Sequence, residues 1–448
     1  IGGYKRKDKN TNIDWLLFLK LLEQDKFPVR MDYYGTWNKN NEKLVTEEIL
    51  QEGSKIKNKL TGINYPVGSD YWFNTQPFEL DWNEEIKTNS NKINLLFIFP
   101  WFRVGGADKF NYDLISNLDK SKYSITILTT EPCPYIWRQK FEEYAEVFDL
   151  TSFLHRKYWA PFMHYIIKTR NIEFVMNSNS YYGYYAIPWL KSKFPKVIFT
   201  DYLHAVNWNW RNGEYPVDST AISRLLDKTF VTSNQVKEIM NEKMGRKINN
   251  TKVVYIGVDE KKFDKNNSEI EVNKELVKYK EKYNGKKILL FCSRISAEKR
   301  PILMLKILEE LLKRRDDIVL FVVGDGAQLP EMKEKAEELK LQDNVMFFGM
   351  QEEVRPFYRL ANLLVVCSIR EGITLTTYEA LSMSVPVVTA DVGGQKELVD
   401  NSCGRIVQNV QKVDKGETDK NYSKEEINKY ADAIEEILDN SEYENMRQ

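Results

Sequence analysis

The stretch from Cys367 to Gly394 organises this chain, and it reads CSIREGITLTTYEALSMSVPVVTADVGG. An apolar run, Leu363–Cys367, leads into a polar turn that carries the carboxylate of Glu371. A predicted helix then opens and carries a second carboxylate, Glu379. A strand, a loop and a helix in this order form the edge at which open α/β sheets bind ligands. Two acids held there could grip the hydroxyls of a sugar or a ribose, and the free N–H groups of the helix start could bind a phosphate.

The same stretch has a purely structural interpretation. Thr376 and Glu379 have the spacing of a capping box, in which Glu379 would only satisfy backbone N–H groups at the helix start. The stretch by itself favours neither alternative, because the capping motif is common. The rest of the chain has to decide between them.

Bulk composition excludes some classes of protein. The chain has 448 residues, of which 42% are hydrophobic and 29% charged, as in a globular protein of two or three domains. Lys and Arg number 65, as do Asp and Glu, so the basic charge typical of a nucleic-acid binder is absent. No apolar stretch of the sequence approaches the ~18 residues of a membrane span. Cys292 and Cys367 lie in apolar runs and predict buried free thiols in a reducing, cytoplasmic compartment.

The pattern along the chain divides it into three segments. Residues 1–92 are rich in Asn, Lys, Glu and Gly and predict an N-terminal extension or linker. From residue 93, short apolar runs alternate with amphipathic segments, which indicates βαβ units and a parallel sheet. A charged segment, Asp259–Gly285, precedes a second alternating series. The sequence thus predicts two doubly wound α/β domains, residues 93–262 and 263–448, with a cleft between their strand ends.

Two glycines follow the first predicted strand, Asn94–Pro100. Gly105 and Gly106 stand at the strand-to-helix turn, where they would let the backbone approach a phosphate or a sugar closely. A plain tight turn explains the pair equally well. The pattern is not Gly-x-Gly-x-x-Gly, and no acidic residue is placed for an NAD ribose, so a nicotinamide-dependent oxidoreductase is not favoured.

A basic pair follows the strand predicted at Lys287–Cys292. Arg294 and Lys299 leave the strand end, where a planar guanidinium and a point-charge ammonium would together hold a diphosphate and neutralise a leaving group. The alternative is a solvated charge run before a helix. The neighbouring Arg300 is predicted to lie at the surface.

Two further strand ends could line a nucleotide site. Gly324 and Asp325 end one predicted strand and indicate a tight turn. Gly349 and Met350 end the next strand and would present backbone groups to a base edge. Both interpretations depend on these strand ends reaching the same edge of the sheet.

His204 ends the strand predicted at Lys196–Tyr202 and is one of three histidines in the chain. A lone histidine is more often structural than functional. Its place at a strand end that would face the cleft favours a role in the site. The sequence shows no cluster with the spacing of metal ligands.

Together, the glycine turn, the histidine, the basic pair and the paired carboxylates resemble the family 4 retaining glycosyltransferases of GT-B fold. The resemblance covers about Ile93 to Leu438. Its motif is Glu371-x7-Glu379, with Arg294 and Lys299 upstream and Gly393-Gly394 downstream. It implies two Rossmann-like domains, the first on the acceptor side and the second on the nucleotide-sugar donor side.

The resemblance also implies a role for each matching residue. Glu379 would hold the ribose hydroxyls, and Arg294 and Lys299 would stabilise the departing diphosphate. His204 would contact the donor sugar near the reacting carbon, and Glu371 would contact the sugar itself. Backbone contacts to the donor would come from Gly105, Gly106, Gly372, Ile373, Thr374 and Leu375.

The implied activity is that of a retaining hexosyltransferase. It would move a sugar from a nucleotide-sugar of UDP or GDP type to a saccharide or lipid-linked acceptor, as in bacterial cell-surface polysaccharide synthesis. Such enzymes are described by a front-face attack without a protein nucleophile, and they generally need no metal or other cofactor. A lipid-linked acceptor would bring the protein into peripheral contact with the inner face of the membrane. Two alternatives stay open: a nucleotide-sugar epimerase or hydrolase of the same fold, and a catalytically silent sugar-binding domain.

Some features depart from the family pattern or extend beyond it. Asp108 stands where many members carry Glu, Cys367 replaces a common Pro, and the helix that crosses back to the first domain is missing or unfinished at Gln448. The start of the chain, with Asp14 as a match to an acceptor base, resembles the tail of a family 2 GT-A glycosyltransferase. No metal-binding acidic pair precedes Asp14, so this remnant is predicted to be inactive, and the native protein would be a tandem of two transferases. Aromatic clusters at Tyr181–Tyr185 and Trp208–Trp210 are predicted either to line an acceptor groove or to lie in the core.

Overall fold

The computed structural model describes residues 91–103, 105–132, 136–208, 213–247, 249–271, 274–411 and 420–443. The N-terminal extension with Asp14 lies outside the described residues, as does Trp210. The chain forms two compact units. The first ends at Asp201 and also includes Ile222–Asp227, and the second consists of Tyr202–Ala221 and the residues from Lys228 onward. The predicted domain bounds, 93–262 and 263–448, stay predictions.

The first sheet has seven strands in the order β3-β2-β1-β4-β5-β6-β7. β1 is paired in parallel with both β2 and β4, so the strand order reverses beside β1. In a doubly wound sheet such a reversal opens a crevice at the carboxyl ends of the strands. The strands are β1 (Ile93–Phe99), β2 (Tyr123–Thr129), β3 (Glu146–Asp149), β4 (Phe174–Ser178), β5 (Ile198–Leu203), β6 (Lys228–Val231) and β7 (Thr251–Val253).

Helices connect the strands of the first sheet and bury their apolar faces on it. β1 is buried along six of its seven residues, as expected for a parallel strand covered on both faces. Ile98, Phe162, Val175 and Ile187 belong to one buried core. The helices are α1 (Gly106–Ser116), α2 (Arg138–Glu142), α3 (Leu150–Phe153), α4 (Trp159–Thr169), α5 (Tyr181–Lys193), α6 (Tyr215–Ala221) and α7 (Asn234–Glu242).

The second sheet has six strands in the order β10-β9-β8-β11-β12-β13. β8 is paired in parallel with both β9 and β11, so the strand order reverses beside β8. Every residue of β9 is buried, because helices cover both faces of the sheet. The strands are β8 (Lys287–Cys292), β9 (Ile318–Val323), β10 (Val345–Gly349), β11 (Leu363–Val366), β12 (Val387–Ala390) and β13 (Gly404–Val407).

The helices of the second unit include one inside the charged segment Asp259–Gly285 and one near the end of the chain. The last helix packs through Tyr430 and Ile434 into the core that Leu303 and Leu320 share. The helices associated with the second sheet are α8 (Lys274–Lys282), α9 (Pro301–Arg314), α10 (Leu329–Glu338), α11 (Arg355–Leu360), α12 (Leu375–Ser382) and α13 (Lys424–Asp439). The predicted fold class, two parallel-sheet α/β domains, is confirmed. None of the helices in the described residues has the length and apolar character that a bilayer crossing requires.

Candidate active site

Two loops meet at the carboxyl edge of the second sheet, where its strand order reverses. β8 and β11 are neighbours, with Leu289 opposite Leu363, and the chain leaves β8 toward β9 but leaves β11 toward β12. The loop 293–300 and the loop 367–374 therefore share one crevice. A backbone hydrogen bond of 2.8 Å from Ile369 N–H to the carbonyl of Glu298 joins the two loops directly.

An ion pair crosses this crevice. Nζ of Lys299 lies 2.5 Å from Oε1 of Glu371, and the two side chains are 17% and 9% exposed. Such burial reduces solvent screening of the pair. An ammonium has three N–H donors, so Lys299 can hold Glu371 and an anionic ligand together. The structure thus brings together two residues that the sequence predicts for the site.

Arg294 lies nearer the solvent than Lys299. Its side chain is 66% exposed, and Nη2 donates to Oε1 of Glu298 at 2.9 Å. Burial would raise the pKa of Glu298, but hydrogen bonds from Ser296 and its own backbone N–H, with the charges of Arg294 and Lys299, lower it below its usual value. Arg294 is therefore tethered on its own loop by an ionised carboxylate.

Glu379 lies in the middle of α12 and not at its start. The helix begins at Leu375 with Thr374 as its N-cap, so the capping-box alternative for Thr376 and Glu379 is wrong. Oε2 of Glu379 accepts a hydrogen bond of 2.8 Å from the hydroxyl of Tyr358. Burial, with Cys292 and Glu379 nearby, raises the pKa of Tyr358 well above its usual value, so the phenol stays protonated and remains a donor.

The loop from Gly372 to Leu375 is held by glycine contacts and by hydroxyl groups. Gly394 N–H donates to the carbonyl of Gly372 at 2.6 Å. Gly393 has φ +57, and a Cβ there would lie 2.0 Å from the oxygen of Gly372, so both the conformation and the space require glycine. At the helix start, Oγ1 of Thr374 accepts a 2.7 Å hydrogen bond from Nε2 of the buried Gln395.

His204 reaches this loop through its backbone. A Cβ on Gly372 would lie 1.9 Å from the carbonyl oxygen of His204, and that oxygen accepts a 2.8 Å hydrogen bond from Oγ1 of Thr232. The imidazole packs on Tyr202, with ring centroids 4.8 Å apart. Desolvation by burial lowers the pKa of His204 to about 3, so the imidazole is neutral near pH 7.

The ends of β9 and β10 support the loop after β8. Gly324 has φ +133, and a Cβ there would lie 1.9 Å from the carbonyl oxygen of Ser293. The carbonyl of Asp325 accepts from Ile295 N–H at 2.9 Å, and the carbonyl of Gly349 accepts from Gly324 N–H at 2.7 Å. Met350 follows with a side chain that is 61% exposed. These residues lie beside the basic loop, and their contact with a nucleotide stays a prediction.

The other predicted glycine turn belongs to the first unit. Gly105 is the N-cap of α1, and Gly106 is its first residue. The turn follows β1, where the strand order of the first sheet reverses. A Cβ on Gly105 would lie 3.1 Å from Oδ2 of Asp108, so this turn leaves little space for a side chain. The predicted donor contact of the two glycines stays a prediction.

Sequence reasoning placed Arg300 at the surface, and that prediction is wrong. Its side chain is 0% exposed, and Nη1 lies 2.6 Å from Oε1 of Glu426. The partner lies 126 residues further along the chain, so no local pattern reveals the pair. Tyr358, the donor to Glu379, was missed for the same reason. Among the described residues, no group of three or more His, Cys, Asp and Glu side chains could hold a metal ion.

Comparison with known proteins finds a family match and glycosyltransferase relatives. Residues 272–448 match the protein family described as "Glycosyl transferases group 1". The chain is 35% identical to the alpha-monoglucosyldiacylglycerol synthase of Streptococcus pneumoniae over 139 residues, which are 31% of this chain and 32% of that protein. It is 26% identical to the O-antigen biosynthesis glycosyltransferase WbnH of Escherichia coli over 329 residues, 71% of this chain and 87% of that protein. The chain thus spans about a third of the first relative's length and most of the second's.

A solved structure shows the same architecture. Anabaena HepE in complex with UDP-glucose has a TM-score of 0.60 at 16% identity, over 79% of this chain and 93% of that chain. At this identity the likeness concerns the fold alone. It agrees with the GT-B architecture expected from the sequence. Residues 272–448 therefore match the group 1 glycosyltransferases, a family of enzymes, and the chain is similar over most of its length to a glycosyltransferase.

Proposed function

We propose that the protein transfers a sugar, with retention of its anomeric configuration, from a nucleoside diphosphate sugar to a saccharide or lipid-linked saccharide hydroxyl. The observation that carries this proposal is the Lys299–Glu371 ion pair of 2.5 Å at the strand-order reversal of the second sheet. A cation and a carboxylate at that edge suit the two ends of a sugar diphosphate, its phosphates and its hydroxyls.

Each site residue has a stated task in this proposal. Lys299, with Arg294 at the outer side, neutralises the charge that develops on the departing diphosphate. Glu371 accepts hydrogen bonds from the donor sugar, and Glu379 accepts them from the ribose. His204 is neutral near pH 7, so it hydrogen-bonds the sugar and adds no charge.

The bond changes balance without a nucleophilic side chain. The bond between the anomeric carbon and the diphosphate oxygen breaks, and its electron pair stays on the phosphate. The acceptor oxygen forms the new bond on the same face, and its proton passes to the departing phosphate oxygen. The protein supplies preorganised charge in this step, and each well-placed group is worth about 3–4 kcal/mol in such sites. Because Lys299 and Arg294 are the cations, transfer is expected without an added metal ion.

We propose that the base of the donor nucleotide is uracil. The solved structure with the same fold binds UDP-glucose. Among the residues that would lie near a base, Gly349 and Met350 offer backbone groups, which can read the edge of a uracil by hydrogen bonds. A guanine nucleotide is the competing donor that the binding experiment has to distinguish.

A lipid-linked acceptor agrees with a basic and aromatic surface on the first unit. α5 exposes three aromatic side chains on one face, Tyr181, Tyr185 and Trp189, which are 36%, 71% and 39% exposed. Next to them, the guanidinium of Arg156 lies 5.5 Å from the Tyr182 ring centroid. Arg156, Lys168, Lys193 and Lys196 are exposed basic residues of the segment 151–200, whereas Arg170 and Lys191 are paired with Glu146 and Asp227. Aromatic rings with lysines and arginines suit the interface of a membrane with anionic lipids, which supports the proposed contact with the cytoplasmic leaflet.

The deciding experiment combines binding and turnover. Calorimetry with UDP and GDP identifies the base, and radiolabelled UDP-sugars with and without acceptor identify the reaction, with one arm in a metal chelator. Transfer to the acceptor supports the proposal if the anomeric configuration of the product linkage is the same as that of the donor. Sugar release without acceptor indicates a hydrolase, a changed sugar indicates an epimerase, and binding without any product indicates a silent sugar-binding domain.

A further inference from the structure

Arg300 connects both loops of the candidate site to α13. Its side chain is fully buried. The residue directly follows Lys299 in the chain. Nε donates to the carbonyl of Cys367 at 2.5 Å, and Nη2 donates to Oδ1 of Asn409 at 2.6 Å. Nη1 donates to Oε1 of Glu426 in the first turn of α13 at 2.6 Å. One guanidinium therefore joins three segments that are far apart in sequence.

The two loops that Arg300 joins are those that carry the ion pair. Cys367 lies four residues before Glu371, and Lys299 is the residue before Arg300. A shift of the guanidinium would therefore move the backbone that carries Lys299 relative to the loop that carries Glu371. The thiol of Cys367 strengthens this junction, since Sγ lies 3.6 Å from the carbonyl oxygens of Lys299 and Arg300.

The backbone of Arg300 indicates that the side chain has a task. Its φ of 53° and ψ of 55° lie in the left-handed region, which a residue with a Cβ adopts at a cost and glycine adopts freely. Pro301 follows at the first position of α9, so the chain needs a residue here that can turn sharply. An arginine at such a position offsets the conformational cost through its hydrogen bonds.

The guanidinium keeps its charge in this site. Burial alone would lower the pKa of Arg300, but the nearby Tyr430, Cys367 and Glu426 raise it above its usual value. A buried ion pair contributes little net stability compared with apolar side chains of the same size. Its better-attested use is to specify one arrangement of the segments that it joins.

We propose that Arg300 is a positioning residue, held by Glu426 of α13, that fixes Lys299 at the distance from Glu371 needed to grip the donor diphosphate. The inference rests on the proposed function, because it takes Lys299 as the phosphate ligand. In this proposal α13 contributes Glu426 to the network, and it sets the geometry of the donor site through Arg300.

A matched control exists on the same two helices. Arg314 joins the other end of α9 to α13, with Nη1 at 2.6 Å from Asp432 and 2.9 Å from Glu435. Its side chain is 27% exposed, and it touches neither site loop among the described contacts. Arg314→Gln therefore loosens the packing of α9 against α13 without altering the site. Glu426→Gln keeps the shape and one acceptor oxygen of Glu426 but removes its charge.

The test compares Arg300→Gly, Arg300→Lys, Glu426→Gln and Arg314→Gln with the wild-type chain, each assayed at least 15 degrees below its own melting temperature. We expect Arg300→Gly to lower kcat roughly ten-fold or more, since small displacements of a catalytic group have large effects. Arg300→Lys recovers part of this loss because it keeps the charge for Glu426. Arg314→Gln lowers the melting temperature and leaves kcat within about two-fold, as for a surface change distant from the site.

Nucleotide binding provides a second readout that needs no turnover. Lys299 is proposed to hold phosphates, so the Arg300 and Glu426 variants should lose the preference for UDP over uridine, while uridine binding itself is unchanged. If Arg300→Gly does not fold, Glu426→Gln carries the test. Equal kcat losses in the Arg300, Glu426 and Arg314 variants, or an unchanged ratio of UDP to uridine affinity, would overturn the inference. A wild-type chain that binds no nucleoside diphosphate refutes instead the proposed function on which the inference rests.

Discussion

Nζ of Lys299 and Oε1 of Glu371 lie 2.5 Å apart, although 72 residues separate them along the chain. Their loops follow β8 and β11, which are hydrogen-bonded neighbours in the second sheet. The backbone pairing of these strands therefore fixes where both loops begin, and the ion pair adds to an arrangement that the sheet already imposes. A ligand with phosphates and hydroxyls can use both groups at once.

Removal of the ammonium tests the phosphate role directly. Lys299→Met keeps the aliphatic stem and removes the charge, and we expect kcat to fall about 100-fold, the loss typical of a preorganised group in the transition state. Glu371 loses its cation, so the melting temperature falls as well. The double variant Lys299→Met/Glu371→Gln should recover the melting temperature but not kcat. The exposed Lys313→Met on α9 is the control, and equal kcat for both single variants would refute the role of Lys299.

Substitutions of Glu379 and Tyr358 should weaken the binding of the ribose and leave the binding of the phosphates unchanged. Glu379→Gln weakens UDP binding by about 10- to 100-fold, since hydrogen bonds to a charged acceptor contribute 1.5–3 kcal/mol. Tyr358→Phe removes a 2.8 Å hydrogen bond that orients Glu379, and we expect a smaller loss in the same direction. Calorimetry with UDP and with 2′-deoxy-UDP separates the effects. If Glu379→Gln weakens the binding of both ligands by the same factor, Glu379 does not hold the 2′-hydroxyl.

The pH dependence of stability should reveal His204. Its pKa is lowered to about 3 in the folded protein, so between pH 6.5 and pH 3 the unfolded chain binds a proton at this residue that the folded chain does not. The contribution of His204 therefore destabilises the fold as the pH falls below 6.5, by up to about 1.4 kcal/mol per unit, and it vanishes above 6.5. We expect His204→Gln to flatten the fall of the melting temperature between pH 6.5 and pH 4.5. Parallel curves for both proteins would mean that His204 protonates normally.

Gly372 is expected to tolerate no side chain. A Cβ there would lie 1.9 Å from the carbonyl oxygen of His204, so Gly372→Ala has to displace backbone of the site loop. We expect a lower melting temperature and a loss of kcat of roughly ten-fold or more, because the loop carries Glu371. Gly257→Ala is the control, since a Cβ at that position meets no atom within 4 Å. Normal kcat for Gly372→Ala would show that the loop can move without harm to the site.

The aromatic face of α5 can be tested with lipid vesicles. We expect the wild-type chain to sediment with vesicles that contain phosphatidylglycerol and not with vesicles of phosphatidylcholine alone, and binding to weaken as salt rises. The double variant Tyr185→Ser/Trp189→Ser should weaken vesicle binding about ten-fold, because interfacial aromatic rings anchor peripheral proteins. Ile136→Ser, at an apolar side chain 62% exposed elsewhere on the first unit, is the control. Equal binding by both variants would mean that this face does not touch the membrane.

Local patterns were sufficient for the fold class and for naming the residues of the candidate site. The alternation of apolar runs with amphipathic segments predicted two parallel sheets, because hydrophobic periodicity is a property of neighbouring residues. The ends of those strands then pointed to Lys299, Glu371 and Glu379, since parallel strands present their carboxyl ends at one edge. The charged segment Asp259–Gly285 obscured α8, because its helix carries few large apolar side chains.

The sequence by itself determined that this chain forms two parallel α/β sheets with acids and cations at strand ends. Only the tertiary structure decided how these groups are paired and buried. Arg300 is a typical surface residue by composition, but a partner 126 residues away makes its burial favourable. Glu379 is held by Tyr358 and not by a capping box, and burial makes His204 neutral. The physical reason is that periodicity is local, whereas charge burial and hydrogen bonding depend on which distant residues the sheet order brings together.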